Sequence, residues 1–177
     1  MSRTPPLLLQ DGTLGLRPPE PSDTEAYLAF RNDLGAAGDL IGFVRGVPAH
    51  KVKEWIATID NRATVTLTAV LLPDQRPVGY VNIYDLEPVS ATCEMGLAVF
   101  AAQDRGKGYG RRMIELSLGY LRDWLNIRKV SMTVLADNAA AIALYQKCGF
   151  EIEGTLKDQY FIDGAYRSAL LMAKFLR

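Results

Sequence analysis

The sequence predicts a mixed α/β domain built on one mostly antiparallel sheet flanked by helices. Three observations predict it. Runs with apolar residues at every second position alternate along the chain with runs at helical spacing. Two tight turns in succession join strand-like runs, which makes neighbouring strands antiparallel. A polar, glycine-rich turn then separates a strand-like run from a long helical one.

The elements follow in order. Residues 1–12, with Pro5-Pro6 and Asp11-Gly12, read as a loose arm leading into a short strand near Thr13 to Arg17. Ser22 and Glu25 have capping-box spacing, and Tyr27, Phe30 and Leu34 follow at helical intervals. Gly35-Ala36-Ala37-Gly38 is a flexible stretch. A second helix is expected after Pro48, with Val52, Trp55, Ile56 and Ile59 on one stripe. Val65, Leu67, Ala69 and Leu71 alternate with Thr64, Thr66 and Thr68, which predicts a strand with one polar face. Pro73 to Pro77 is a turn, and Val78 to Asp85 and Thr92 to Phe100 are the next two strands. Met113, Leu116, Tyr120, Leu121 and Trp124 mark a long helix, and Lys129 to Leu135 a strand. Asn138 opens a short alanine-rich helix that Gly149 ends in the left-handed conformation. Phe150 to Phe161 and Ala165 to Phe175 form a hairpin across Asp163-Gly164.

With 177 residues the chain is one domain, 1–177, large enough for a core without staples. Lysine plus arginine is 20 and aspartate plus glutamate is 20. That balance argues against bulk capture of nucleic acid or an anionic membrane. No apolar run approaches a bilayer span, and Leu7-Leu8-Leu9 is too short for a signal-peptide core. Two cysteines, Cys93 and Cys148, lack zinc-ligand spacing and read as buried thiols of a reducing cytoplasm. One histidine, His50, argues against a histidine triad or a polyhistidine metal site, so no metal is expected.

Arg105-Gly106-Lys107-Gly108-Tyr109-Gly110 is the most informative segment. Glycines between a strand and a helix let the main chain approach a ligand, and the N–H groups of the helix start favour an anion. Arg105, Lys107, Arg111 and Arg112 add positive charge at that end, where charge alone mildly disfavours a helix. A phosphate or pyrophosphate is the natural guest. The Walker pattern is absent, and the dinucleotide fingerprint fails at Arg111. Arg-x-x-Gly-x-Gly, at Arg105, Gly108 and Gly110, fits.

This turn resembles the pyrophosphate-binding motif of the GCN5-related N-acetyltransferase (GNAT) superfamily. Asn138 to Phe150 is similar to that superfamily's downstream segment, and Glu94-Met95-Gly96-Leu97-Ala98-Val99 to the strand before its glycine turn. Glu153-Gly154, Gly164 to Arg167 and Leu171-Met172 resemble the branch of ribosomal-protein N-terminal and spermidine acetyltransferases. The likeness covers about residues 13 to 175.

The resemblance implies a GNAT-like sheet with splayed strands at the cofactor site. It implies an acyltransferase that moves an acetyl group from acetyl-CoA directly to an amine, either a protein N-terminus or a small amine. A non-catalytic acyl-CoA-binding module on the same fold is the alternative. Arg105, Gly106, Lys107, Gly108, Tyr109, Gly110 and Arg111 would hold the pyrophosphate, and Asn138 would cap its helix and touch the cofactor. Leu97, Ala98 and Val99 would border the pantetheine arm, one N–H near Ala98 or Val99 polarising the acetyl oxygen. Tyr145 is the expected general acid and Glu94 the expected base, with Asp85 and Glu87 as fallbacks. The acceptor pocket is expected from the N-terminal helices, the Gly35 to Val47 loop and the last hairpin, with Tyr160, Phe161, Tyr166 and Arg167. Asp33 and Asp39 make no acidic cluster there, so a polyamine acceptor loses weight. A homodimer is a family-level expectation.

Overall fold

The computed structural model describes residues 5–37 and 46–176. The strands are β1 (Leu9–Gln10), β2 (Leu14–Arg17), β3 (Val65–Leu71), β4 (Arg76–Glu87), β5 (Thr92–Val99), β6 (Lys129–Leu135), β7 (Glu151–Ile162) and β8 (Ala165–Phe175). The helices are α1 (Thr24–Arg31), α2 (Leu34–Ala37), α3 (Ala49–Thr58), α4 (Tyr109–Asp123) and α5 (Ala139–Lys147). The strands form one sheet in the order β1-β2-β3-β4-β5-β6-β8-β7. Every neighbouring pair is antiparallel except β5–β6.

Local chemistry accounts for most element ends. Asn138 Oδ1 accepts from Ala141 N–H at 3.1 Å and starts α5, and Gly149 at φ +87° ends it. Asp163 and Gly164 both adopt positive φ, as a two-residue hairpin of the mirror-image type requires. The first helix differs from expectation. The capping box is Glu20 with Asp23, on the 3-10 turn Pro21–Asp23 that leads into α1, two residues before the predicted Ser22 and Glu25. The N-terminal arm is also less loose than expected. Leu8 N–H donates to Leu16 O at 2.8 Å, β1 pairs with β2, and Arg112 holds Asp11 at 2.7 Å.

The sheet is covered on both faces. On one, α4 and α5 bury Met113, Ile114, Leu121 and Tyr145 against Val81, Ile83, Met95, Val130 and Met132. On the other, Tyr27, Phe30, Val52 and Ile56 from α1 and α3 meet Ala98 and Phe100. This second layer buries Thr66 and Thr68, which the alternation of β3 had suggested face water. Beneath α1, Arg17 and Asp23 form a bidentate ion pair at 2.7 and 2.8 Å, with both side chains buried. Asp23 also accepts from Glu20 N–H at 2.9 Å and from the Thr68 hydroxyl at 3.1 Å, and Thr68 meets the Tyr27 hydroxyl at 3.1 Å.

The sheet is interrupted near its middle. β5 and β6 pair only at Thr92–Lys129, Cys93–Val130 and Glu94–Ser131, and then part. Beyond Glu94 the β6-facing edge of β5 is unpaired.

Candidate active site

The gap between β5 and β6 opens into a cavity of about 910 Å³. It runs from the glycine turn and the start of α4, past Leu97, Ala98 and Val99 on one side and Met132 to Leu135 on the other, to α1 and α3.

At one end, Gly106 and Gly108 have φ of +74° and +83°, a backbone shape that a side chain disfavours. A Cβ built on either would meet nothing within 4 Å, so the space above the turn is open. Gly110 is a glycine for another reason: a Cβ there would stand 3.1 Å from Leu144 Cδ2, so it lets α4 pack on α5. The first intrahelical bond of α4 runs from Arg112 N–H to Gly108 O at 3.2 Å. The N–H groups of Tyr109, Gly110 and Arg111, before it, have no intrahelical acceptor, and all three residues line the cavity. Together with the positive end of the helix dipole they suit a phosphate ester.

The cations divide. Arg105 and Arg111 line the cavity, Arg111 while bonded to Glu115 at 2.7 Å. Lys107 does not line it: its ammonium lies 3.4 Å from Asp104. Asp104 is buried and is held by Arg76 through two bonds, 2.8 and 3.1 Å. Those bonds from Arg76, then the nearby Lys107, keep its carboxyl below the ordinary aspartate value. Asp104 thus ties the glycine turn to β4. The motif stops one residue short of it, and its partner is far off in sequence.

Along the gap, the ladder decides which amides are available. Phe100 N–H donates to Val78 O at 2.9 Å, and each strand residue sends its N–H and C=O to the same side in alternation. Ala98 therefore faces β4, while Leu97 and Val99 face the gap. Of the two positions expected for a free N–H, Ala98 or Val99, the ladder leaves Val99, and Leu97 faces the gap as well.

Tyr145, on α5, is buried and lines the cavity, packed on Phe150 with ring centroids 6.1 Å apart. Burial pushes its phenol up to about 12, and no described residue is hydrogen-bonded to the hydroxyl. Glu94 stands beside the cavity and is not part of its lining. It accepts from the Thr133 hydroxyl at 3.1 Å, across the last paired rung of β5 and β6. Tyr84, the cross-strand neighbour of Glu94, does line the cavity. A Cβ at Gly96 would fall 2.9 Å from the Tyr84 hydroxyl, so the glycine makes room for it. Burial first, then the Glu94 charge, holds the Tyr84 phenol above its ordinary value. Tyr84 was not expected from the sequence, since only its pairing with Glu94 reveals it.

The far end is aromatic. Tyr27, Phe30, Arg31, Val47, Trp55 and Tyr80 line it. The last hairpin, expected here, is absent from the lining. Phe161 and Tyr166 are exposed and pack on each other at 5.2 Å, and Arg167 is bonded to Asp137 at 2.8 Å. Asp39 and the greater part of the expected loop, residues 38–45, lie outside the described residues.

A parted parallel strand pair with an anion-ready helix start at its mouth defines a class: proteins that lay a phosphate-tailed, extended ligand into their own sheet. The acetyltransferase (GNAT) domain family matches residues 13–151, and the chain belongs to that family. The L-amino acid N-acetyltransferase AaaT of Escherichia coli is 44% identical over 123 residues, 70% of this chain and 68% of that protein. The spermidine N(1)-acetyltransferase of Vibrio cholerae is 32% identical over 103 residues, 56% of this chain; the match spans only 59% of that relative. A crystal structure of a Vibrio cholerae spermidine N-acetyltransferase in complex with CoA and spermine superposes with a TM-score of 0.85, over 93% of this chain and 96% of that one. At 23% identity, that likeness is one of fold.

Proposed function

We propose that the chain transfers an acetyl group from acetyl-CoA to a primary amine, by direct attack with both substrates bound. The observation that carries this reading is one cavity joining the open glycine turn, the unpaired edge of β5 and the unengaged hydroxyl of Tyr145.

The residues fit acetyl-CoA, which supplies the acetyl group as a thioester. The N–H groups of Tyr109, Gly110 and Arg111, with Arg105, hold the pyrophosphate. The main chain of Leu97 and Val99 takes the pantetheine amides where a strand partner is missing. Val99 N–H, or Leu97 N–H, donates to the acetyl oxygen as charge gathers there. Tyr145 donates to the departing sulfur. Glu94 draws a proton from the amine through water, because an ammonium near pKa ~10.4 has no lone pair for attack.

Acetyl-CoA at ~100 times its Kd is expected to add about 2.7 kcal/mol of stability, roughly 5–10 °C in thermal midpoint for a chain of this size. Differential scanning fluorimetry reads this directly; no shift at millimolar acetyl-CoA removes the site. Glu94→Gln is expected to slow turnover about tenfold to a hundredfold, most at pH values where the acceptor is an ammonium. Equal slowing at every pH assigns deprotonation to water alone.

One domain carries the whole site in this reading, and the two free buried cysteines suit a reducing cytoplasm. The exposed edge strand β7 offers a second copy of the chain a surface carrying Ile152 and Phe161, which supports a homo-oligomer. A related Vibrio cholerae spermidine N-acetyltransferase has been solved as a dodecamer.

A further inference from the structure

The acceptor end of the cavity has a chemistry that acetyl transfer alone leaves unused. Arg31, Trp55 and Asn82 line both the large cavity and an adjoining recess of about 380 Å³, so they stand where the two meet. The Arg31 guanidinium lies 4.8 Å from the Trp55 ring centroid. Stacking positions a planar cation without neutralising it. Among the described residues, Arg31 forms no ion pair with a carboxylate. Asn82 Oδ1 is buried and has no hydrogen-bond partner among the described residues. Asn82 is the cross-strand neighbour of Gly96, beside the point where β5 leaves β6.

Among the described residues, the carboxylates that line the cavity and the recess are engaged elsewhere. Asp60, in the recess, accepts from Arg62 N–H at 3.1 Å and lies 3.8 Å from the Arg62 guanidinium. Asp104, at the glycine-turn end, is held by Arg76.

Given the acetyl-transfer reading, on which this rests, we infer that the amine substrate carries its own carboxylate: it is an α-amino acid. Arg31 takes the carboxylate in a two-pronged bond. Asn82 Oδ1 accepts from the amine, which removes the cost of a buried acceptor left alone. Phe30, Trp55 and Tyr80 face the side chain and favour an apolar or aromatic one. A polyamine brings only charges of the sign that Arg31 already has. In the step, the amine nitrogen bonds to the acetyl carbon and the carbon–sulfur bond breaks. One proton passes to sulfur and, from an ammonium, a second to solvent.

The test compares L-phenylalanine, L-phenylalaninamide and spermidine as acceptors, with CoA release as readout, for the full chain and its Arg31→Gln and Arg31→Lys variants. The acid-to-amide ratio of kcat/KM within one protein is compared across variants, so the different basicities of the two amines cancel. Arg31→Gln is expected to lower that ratio by about 10- to 100-fold, chiefly through KM for the acid, and Arg31→Lys to recover part of it. An unchanged ratio, or spermidine preferred over phenylalanine by the parent chain, overturns the inference while leaving acetyl transfer standing. No CoA release with any of the three overturns both. Acetyl-CoA protection against heat, measured on the same samples, establishes that each variant is folded and binds its donor.

Discussion

Replacing Asp23 with alanine is expected to cost about 3–5 kcal/mol of stability, the range for removing one partner of a buried ion pair. The Arg17 guanidinium would stay buried, 2% exposed, without the carboxylate that takes two of its bonds. Glu20 N–H and the Thr68 hydroxyl would lose their acceptor at the same time. For a chain of this size the thermal midpoint should fall by roughly 6–20 °C. Urea unfolding checks the size of the loss; less than ~1 kcal/mol would mean that water replaces the carboxylate. Arg17→Met combined with Asp23→Ala should recover part of the loss, because the stranded charge is gone. The effect reaches function. Tyr27 closes the acceptor end of the cavity and is fixed by its bond to Thr68, so the single variant should also bind its amine more weakly.

Tyr145→Phe is expected to lower kcat by about 10²-fold or more while acetyl-CoA affinity changes little. The ring that packs on Phe150 is retained, so folding should be preserved and the lost hydroxyl alone tested. The alkaline limb of the pH profile gives an independent check. An ordinary phenol loses its proton near pH ~10, and a donor with that value would fail above it. Burial raises Tyr145 to about 12, so the protonated form, and with it the rate, should persist through pH 10. An alkylthiol ionises near ~8.5, so full transfer from this phenol to a free thiolate runs uphill by roughly 4–5 kcal/mol. In the proposed role, Tyr145 would therefore act best by a strong hydrogen bond to sulfur, with the amine proton completing the thiol. A parent-like rate in Tyr145→Phe would remove it as the donor.

What the sequence disclosed is what is decided within a few residues. The positive φ of Gly106 and Gly108, the Asn138 cap, the Gly149 terminator and the Asp163-Gly164 turn each follow from local backbone chemistry, and each is where the spacing put it. The features that escaped depend on partners distant in the chain. Lys107 has the right neighbours for a pyrophosphate ligand, yet Asp104 takes its charge, and nothing in the motif announces that. Thr66 and Thr68 alternate with apolar residues as a solvated face would; the covering helices turn that face inward. Arg31, Asn82 and Tyr84 carry no motif. They gain meaning only when β4 is laid beside β5 and α1 is folded over both.

The brief contact between β5 and β6 has a mechanical consequence. β1 to β5 form one plate and β6, β8 and β7 another, riveted at Thr92, Cys93 and Glu94. The Leu97 and Val99 amides that face the gap ride on the first plate, while Tyr145 follows α5, which comes directly after β6 on the second. The reach between them is therefore set by an angle at the rivets. Cys93 and Val130, paired and buried there, work like a shim in a vice: added or removed bulk at that point would change the jaw opening several residues away.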